Sequence, residues 1–116
     1  MHDKNEEITL PFQRLDVYRV AKELVRRLHQ GCIRDAELRD QATRAGKSTF
    51  LGLCEGLPSD SSGIRRRHFE IANNSLHEVV GAVDVAEAIG AMDPRDAREV
   101  LALAVRVKRM LRALPR

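Results

Sequence analysis

Residues 61–90 have the sequence SSGIRRRHFEIANNSLHEVVGAVDVAEAIG, and this stretch decides the fold. Apolar or small residues recur every three or four positions along it, which predicts one buried face on a long amphipathic helix. The members of this face are Phe69, Ala72, Leu76, Val79, Val83, Ala86 and Gly90. From Val79 to Met92 the residues are apolar almost all round the helix, interrupted by Asp84 and Glu87. We expect this half to be covered by several helices, from the same chain or from another copy.

The composition indicates a single domain with an aliphatic core. A chain of 116 residues suits one domain. A domain of that size buries roughly two-thirds of the surface that its unfolded form exposes. Aromatic residues make up 3% and tryptophan is absent, so Leu, Val, Ile and Ala must fill the core. Small aliphatic side chains at helical spacing favour helix-on-helix packing over a β-sandwich.

Targeting and metal-binding patterns are missing from the sequence. Residues 1–7 are polar and acidic, unlike a signal peptide. No apolar run approaches the roughly 20 residues that a membrane span needs. Cys32 and Cys54 have none of the CxxC or Cys/His spacings that are typical of zinc sites. We therefore expect a cytoplasmic protein with free thiols, no membrane association, and no metal or other cofactor.

Start and stop signals divide the chain into four predicted helices. The clearest start is Asp93-Pro94, because Asp caps a helix and Pro fits its first position. The predicted helices extend from Leu15 to Gly31, from Asp35 to Gly56, from Ser61 to Gly90, and from Asp93 to the end of the chain. Short connections between four helices predict an all-α, antiparallel up-down-up-down four-helix bundle over residues 12–116. Residues 1–11 are predicted to be a flexible lead-in.

Several short motifs follow one another in order across residues 12–92. They are Phe12-x-x-Leu15-x-Val17-Tyr18-x-x-Ala21, Leu38-Arg39-Asp40-Gln41-x-x-Arg44-Ala45, Leu53-Cys54-Glu55-Gly56, Ser61-Ser62, and Arg67-x-Phe69-x-Ile71-Ala72-x-x-Ser75-Leu76-x-Glu78, with Gly90 at the end. This ordered set resembles the four-helix bundle proteins of the 23S rRNA intervening-sequence family. The segment 46–50 departs from the resemblance, because that family usually has apolar residues and a proline there. Lys47 takes an apolar position, which puts in doubt any surface contact that the family makes with this turn.

The resemblance implies an assembly but no reaction. Members of that family are compact bundles that form homopentamers, and some are encoded within intervening sequences of large-subunit rRNA genes. A related accessory protein of diversity-generating retroelements is a basic pentamer that binds nucleic acid and a reverse transcriptase. The resemblance therefore implies a ring-like homopentamer that binds copies of itself and, further, RNA, DNA or a nucleic-acid-processing protein. It carries over no catalytic residue.

The two most apolar stretches predict where copies of the chain meet. Val79–Met92 and Val100–Val107 are apolar on more faces than one intramolecular contact can cover. The candidate interface residues within them are Val80, Val85, Ile89 and Leu103.

Basic residues are the candidates for binding nucleic acid or a partner protein. The net charge of +3 comes from residues 61–116, and no acid follows Glu99. The candidates are Arg65, Arg66, Arg67, Arg44, Lys47, Arg106, Lys108, Arg109 and Arg112. Three adjacent arginines spread over most of a helix circumference, so a solvated face is the alternative interpretation of 65–67. The alternative function is an adaptor that contacts an acidic protein and has no nucleic-acid role.

No motif predicts catalysis or a small-molecule substrate. Residues 45–49, Ala-Gly-Lys-Ser-Thr, resemble the end of a phosphate-binding loop, but Gln41 occupies the position of its first glycine. The histidines lack the four-residue helical spacing of a metal site. Glu55 lies at a helix C-terminus, where a carboxylate is unfavourable, so we expect it to pair with an arginine of the second or third helix. The chain is predicted not to be an enzyme.

Overall fold

The computed structural model describes residues 8–116, which form four α-helices and one short 3-10 turn. The turn is Pro11–Arg14, and the helices are α1 Asp16–His29, α2 Ala36–Gly56, α3 Ser62–Ala88 and α4 Pro94–Ala113. The described residues contain no strand, only an isolated antiparallel bridge between Ile33 and Met92. The all-α prediction is confirmed for this part of the chain. Residues 1–7 of the predicted lead-in lie outside the described residues.

Local chemistry sets the helix ends close to where the sequence predicts them. The side chains of the three residues that precede α2, α3 and α4 accept hydrogen bonds from the first-turn amides, which have no partner within the helix. These caps are Asp35 to the Leu38 amide at 2.9 Å, Ser61 to Ile64 at 3.3 Å, and Asp93 to Arg95 at 2.8 Å. Gly31 and Gly90 follow α1 and α3 with φ of 78° and 76°, a conformation that favours glycine.

The helices pack in chain order around a closed square, with α1 against α2, α2 against α3, α3 against α4, and α4 against α1. At one end the α1–α2 connection meets the α3–α4 connection, where the Arg34 amide donates to the Ala91 carbonyl at 2.7 Å. At the other end Arg65 of α3 donates to the carbonyl of Pro115, just after α4, at 3.0 Å. Neighbouring helices are therefore antiparallel, as expected for an up-down-up-down bundle.

The core contains aliphatic side chains from all four helices and one aromatic ring. Phe69 is the largest fully buried side chain, and Leu24, Leu53, Leu76 and Leu111 surround the bundle axis with it. Within each helix the buried positions recur at helical spacing, as Val17, Val20, Ala21, Leu24 and Leu28 do in α1, so burial holds each helix by one face. No helix within residues 8–116 has the length and apolar character that crossing a membrane requires.

Candidate interaction surfaces

Helices α2 and α3 approach each other closely along small residues. A β-carbon on Gly52 would lie 3.0 Å from the His68 carbonyl oxygen and 3.1 Å from the Ala72 β-carbon. One turn away, the hydroxyls of Ser48 and Ser75 share a hydrogen bond of 2.7 Å. The close contact leaves a shallow furrow on the outside of the pair, which we call the apolar groove.

The apolar groove is a chain of three adjoining depressions that share residues with one another. Its lining comprises Leu38, Gln41, Arg44, Ala45, Lys47, Ser48, Leu51, Gly52 and Glu55 from α2, and His68, Ile71, Glu78, Gly81, Ala82 and Val85 from α3. Three of its aliphatic side chains are far more exposed than a core residue, with 56% for Leu51, 40% for Ile71 and 48% for Val85. Exposed aliphatic side chains in one row are typical of a protein-binding surface.

Charged groups lie among these apolar side chains. Arg44 and Glu78 line the same central depression, and within residues 8–116 neither has an ion-pair partner. Near the end of the groove, the Nδ1 atom of His68 lies 2.9 Å from Oε2 of Glu55. The orientation is poor for a hydrogen bond, so the contact is an ion pair when the imidazole is protonated. The prediction that an arginine pairs with Glu55 was therefore wrong. The packing of α3 against α2 brings His68, and not an arginine, to this carboxylate.

The four predicted interface residues divide into two pairs. Val85 and Ile89 are exposed, Val85 in the apolar groove and Ile89 just beyond the end of α3, where 60% of it is accessible. Val80 and Leu103 are half-buried and pack against the intramolecular core. Exposed Leu51 and Ile71 complete the row that includes Val85, and sequence periodicity did not identify them as interface candidates.

Arg65 is the predicted basic residue with the most intramolecular contacts. Its Nη1 donates to the carbonyls of Gly56, Leu57 and Ser59, and its Nε donates to that of Pro115. Its guanidinium also lies 5.0 Å from the centre of the Phe69 ring. Arg65 thus holds the α2–α3 connection and the end of α4 together, and its Nη1 and Nε are engaged in hydrogen bonds within the chain.

The other predicted cations are spread over the bundle. Lys108 of α4 donates to Asn73 Oδ1 of α3 and lies 3.3 Å from His77 Nε2. Arg44 donates from Nε to the Asp40 carbonyl at 3.5 Å. The exposed candidates with no ion pair in the described part of the chain are Arg44, Lys47, Arg66, Arg67, Arg106, Arg109 and Arg112. The structure does not bring the nine candidates together in one patch.

A second furrow, between α1 and α2, holds basic residues that the sequence analysis did not select. We call it the basic groove, and its lining is Lys22, Val25, Arg26, His29, Gln30 and Lys47. Its volume is about 550 Å³. The signal in the sequence was the spacing of Lys22, Arg26 and His29, which recur at four and three residues and so share one helix face.

Comparison with known families provides the classification of this bundle. The family model described as 23S rRNA-intervening sequence protein matches residues 13–113, which include all four helices. The chain belongs to that family. A comparison with curated proteins finds no match. The description of the family gives no biochemical activity. The surfaces of the bundle are therefore the evidence for its function.

The described residues of this member of the 23S rRNA-intervening sequence protein family show neither a metal site nor an activated cysteine. Within residues 8–116, no three His, Cys, Asp or Glu side chains are grouped as metal ligands would be. Burial raises the pKa of the Cys32 thiol, partly offset by nearby Arg27. Burial, together with the adjacent Glu55 carboxylate, also raises the pKa of Cys54. Both thiols are therefore poorer nucleophiles at neutral pH than a free cysteine.

Proposed function

We propose that this protein is a non-enzymatic subunit that assembles with copies of itself through the apolar groove and presents basic side chains to nucleic acid or to a nucleoprotein partner. The observation that supports assembly is the row of exposed Leu51, Ile71 and Val85 along a groove that also holds Arg44 and Glu78. Covering a half-exposed aliphatic side chain contributes roughly 1 kcal/mol, so several such residues at each contact favour association.

A second copy suits the groove because its charges are of both signs. Arg44 and Glu78 have no ion-pair partner within the described residues, and charged groups on a different face of the next copy can pair with them, as the head-to-tail contacts of a ring require. The proposed stoichiometry of five comes from the family resemblance, since the groove itself does not fix a number. The absence of enzymatic activity and the cytoplasmic location both stay predictions.

Light scattering or mass photometry of point variants tests the assembly. Val85→Asp and Ile71→Asp each place a carboxylate in the groove without opening the core, because both side chains are exposed in the single chain. We expect both variants to be monomeric with unchanged helix content. Val80→Asp is a poorer test, because Val80 packs on the core and its loss disturbs folding as well.

Ile8→Asp is the matched control, because Ile8 is 79% exposed and precedes the bundle. It makes the same chemical change outside the groove and should leave the assembly intact. Wild-type protein that is monomeric at micromolar concentration, or groove variants that keep the wild-type mass, would contradict the proposal.

The alternative partner is an acidic protein, bound by an adaptor with no nucleic-acid role. Exposed Arg106, Arg109 and Arg112 on α4 have no ion pairs within residues 8–116, and they suit such an acidic partner. A pull-down from cell extract, divided and treated with nuclease or left untreated, distinguishes the two. Recovery of nucleic acid that nuclease removes favours the nucleic-acid role, and recovery of protein alone favours the adaptor.

A further inference from the structure

The basic groove lies between α1 and α2, which pack closely at one point. A β-carbon on Gly46 would lie 2.7 Å from Cδ1 of Leu28, so α2 passes close to α1 at this glycine. The next residue, Lys47, then lines the groove opposite the α1 side chains. Close packing therefore places a cation of α2 beside the row formed by Lys22, Arg26 and His29.

The charge of the basic groove is of one sign. Lys22, Arg26 and Lys47 line it, and no Asp or Glu does. Glu23 pairs with Arg26, but both are solvent-exposed and such pairs contribute little. Lys22 and Lys47 have no ion pair within the described residues. Arg19, three residues before Lys22, continues the row along α1.

The shape of the basic groove favours a charged polymer over a small anion. Its cations are strung along the helix one turn apart and do not converge on one point. A polymer with a charge at every unit meets successive cations, and a phosphodiester backbone has that property. Val25 adds an apolar surface that the sugar or base of an unpaired nucleotide can reach by van der Waals contact.

We propose that the basic groove is a binding site for the backbone of single-stranded nucleic acid, with Lys22, Arg26 and Lys47 as phosphate contacts. This inference rests on the nucleic-acid part of the proposed function and gives it a location. It assigns the main contact to α1 and α2, on a different side of the bundle from Arg106, Arg109 and Arg112 of α4.

Fluorescence anisotropy with a labelled single-stranded oligoribonucleotide tests the site. The groove variant carries Lys22→Gln, Arg26→Gln and Lys47→Gln. The control carries Arg106→Gln, Arg109→Gln and Arg112→Gln, which removes the same formal charge from exposed positions of α4. Circular dichroism and light scattering check that both keep the wild-type fold and mass. If the triple groove variant is misfolded, Lys47→Gln alone replaces it, compared with Arg109→Gln.

We expect the groove variant to bind at least about tenfold more weakly at low salt, with a slope of log affinity against log salt that is smaller by about 1.5 to 2. The control should stay within about threefold of wild type. Equal losses in both variants, or a loss in the control alone, would overturn the site while leaving nucleic-acid binding in place. Wild-type protein that fails to bind at low salt would overturn the nucleic-acid function as well.

Two competitors test the class of partner at the same site. A duplex of the same sequence should compete less well than the single strand, because its paired bases cannot reach Val25. A peptide of consecutive glutamates, matched in charge to the oligoribonucleotide, should compete less well too. Stronger competition by either one would overturn the assignment to single-stranded nucleic acid.

Discussion

A β-carbon on Gly56 would lie 2.6 Å from Cε1 of Phe69, so the last turn of α2 rests directly on the largest buried ring of the core. The ring is fully buried. The end of α2 can approach α3 this closely because position 56 has no side chain.

We predict that Gly56→Ala lowers the free energy of unfolding by about 1 to 3 kcal/mol, because the added methyl forces the Phe69 ring or the helix to shift. Gly63→Ala is the matched control, since Gly63 lies in α3 outside the apolar groove and a β-carbon there meets only Ser61 Oγ, at 3.9 Å. This second change should be neutral or stabilising by up to about 1 kcal/mol, through helix propensity. Urea denaturation monitored by circular dichroism measures both, and a Gly56→Ala protein as stable as Gly63→Ala would contradict the prediction.

A second prediction concerns the contrast between Arg65 and its neighbour Arg66. Arg65→Ala leaves three carbonyls of the α2–α3 connection without their donor and removes a cation from the Phe69 ring. We expect a loss of about 2 kcal/mol in unfolding free energy. Arg66→Ala removes an exposed side chain with no ion pair and should change stability by less than about 0.5 kcal/mol. Equal effects in thermal or urea unfolding would show that the Arg65 contacts are not structural.

The fold could be predicted from the sequence because the signals that start and end its helices are local. Asp93 was predicted to cap a helix and does so, and Asp35 and Ser61, the predicted starts of two other helices, cap them as well. Gly31 and Gly90 follow helix ends where expected, because glycine adopts the positive φ of such an end without steric cost. Helical periodicity then identified the faces that meet in the core, and four helices with short connections have few ways to pack.

The surfaces were harder to predict because they depend on which helices are neighbours. Val80 and Val85 look alike in the sequence, yet one packs on the core and the other is exposed. Arg65 and Arg66 are adjacent in the sequence, but Arg65 donates a hydrogen bond to the carbonyl of Pro115, which is 50 residues away. Lys22 joins Lys47 in one groove only after α1 and α2 have packed at Gly46.

A third prediction concerns Arg27, which joins α1 to α4. Its Nη2 lies 3.3 Å from Oδ1 of Asp96 and 2.5 Å from Oε2 of Glu99. Because these groups are only partly buried, we expect a double-mutant cycle of Arg27→Met and Glu99→Gln to give a coupling of about 0.5 to 1 kcal/mol at low salt. Raising the salt should reduce the coupling, since solvent ions screen the pair. A coupling near zero at low salt would contradict the role of Arg27 as a link between these helices.

The last prediction concerns the pH dependence that arises from Cys32 and Cys54. Burial raises the pKa of both thiols above the ordinary 9.0, so the folded protein holds their protons more tightly than the unfolded chain does. The stability that they contribute is therefore complete below pH 9 and is lost as the pH rises through the higher folded values. Iodoacetamide should also react more slowly with the native protein than with free cysteine at pH 8.

Comparison with a Cys32→Ala, Cys54→Ala protein isolates this contribution, because every other titratable group is present in both proteins. Urea unfolding at pH 8 and pH 10 should show a larger loss of stability for the wild type than for the double variant. An identical loss in both proteins, together with alkylation as fast as that of free cysteine, would mean that the packing around the two thiols does not exclude water.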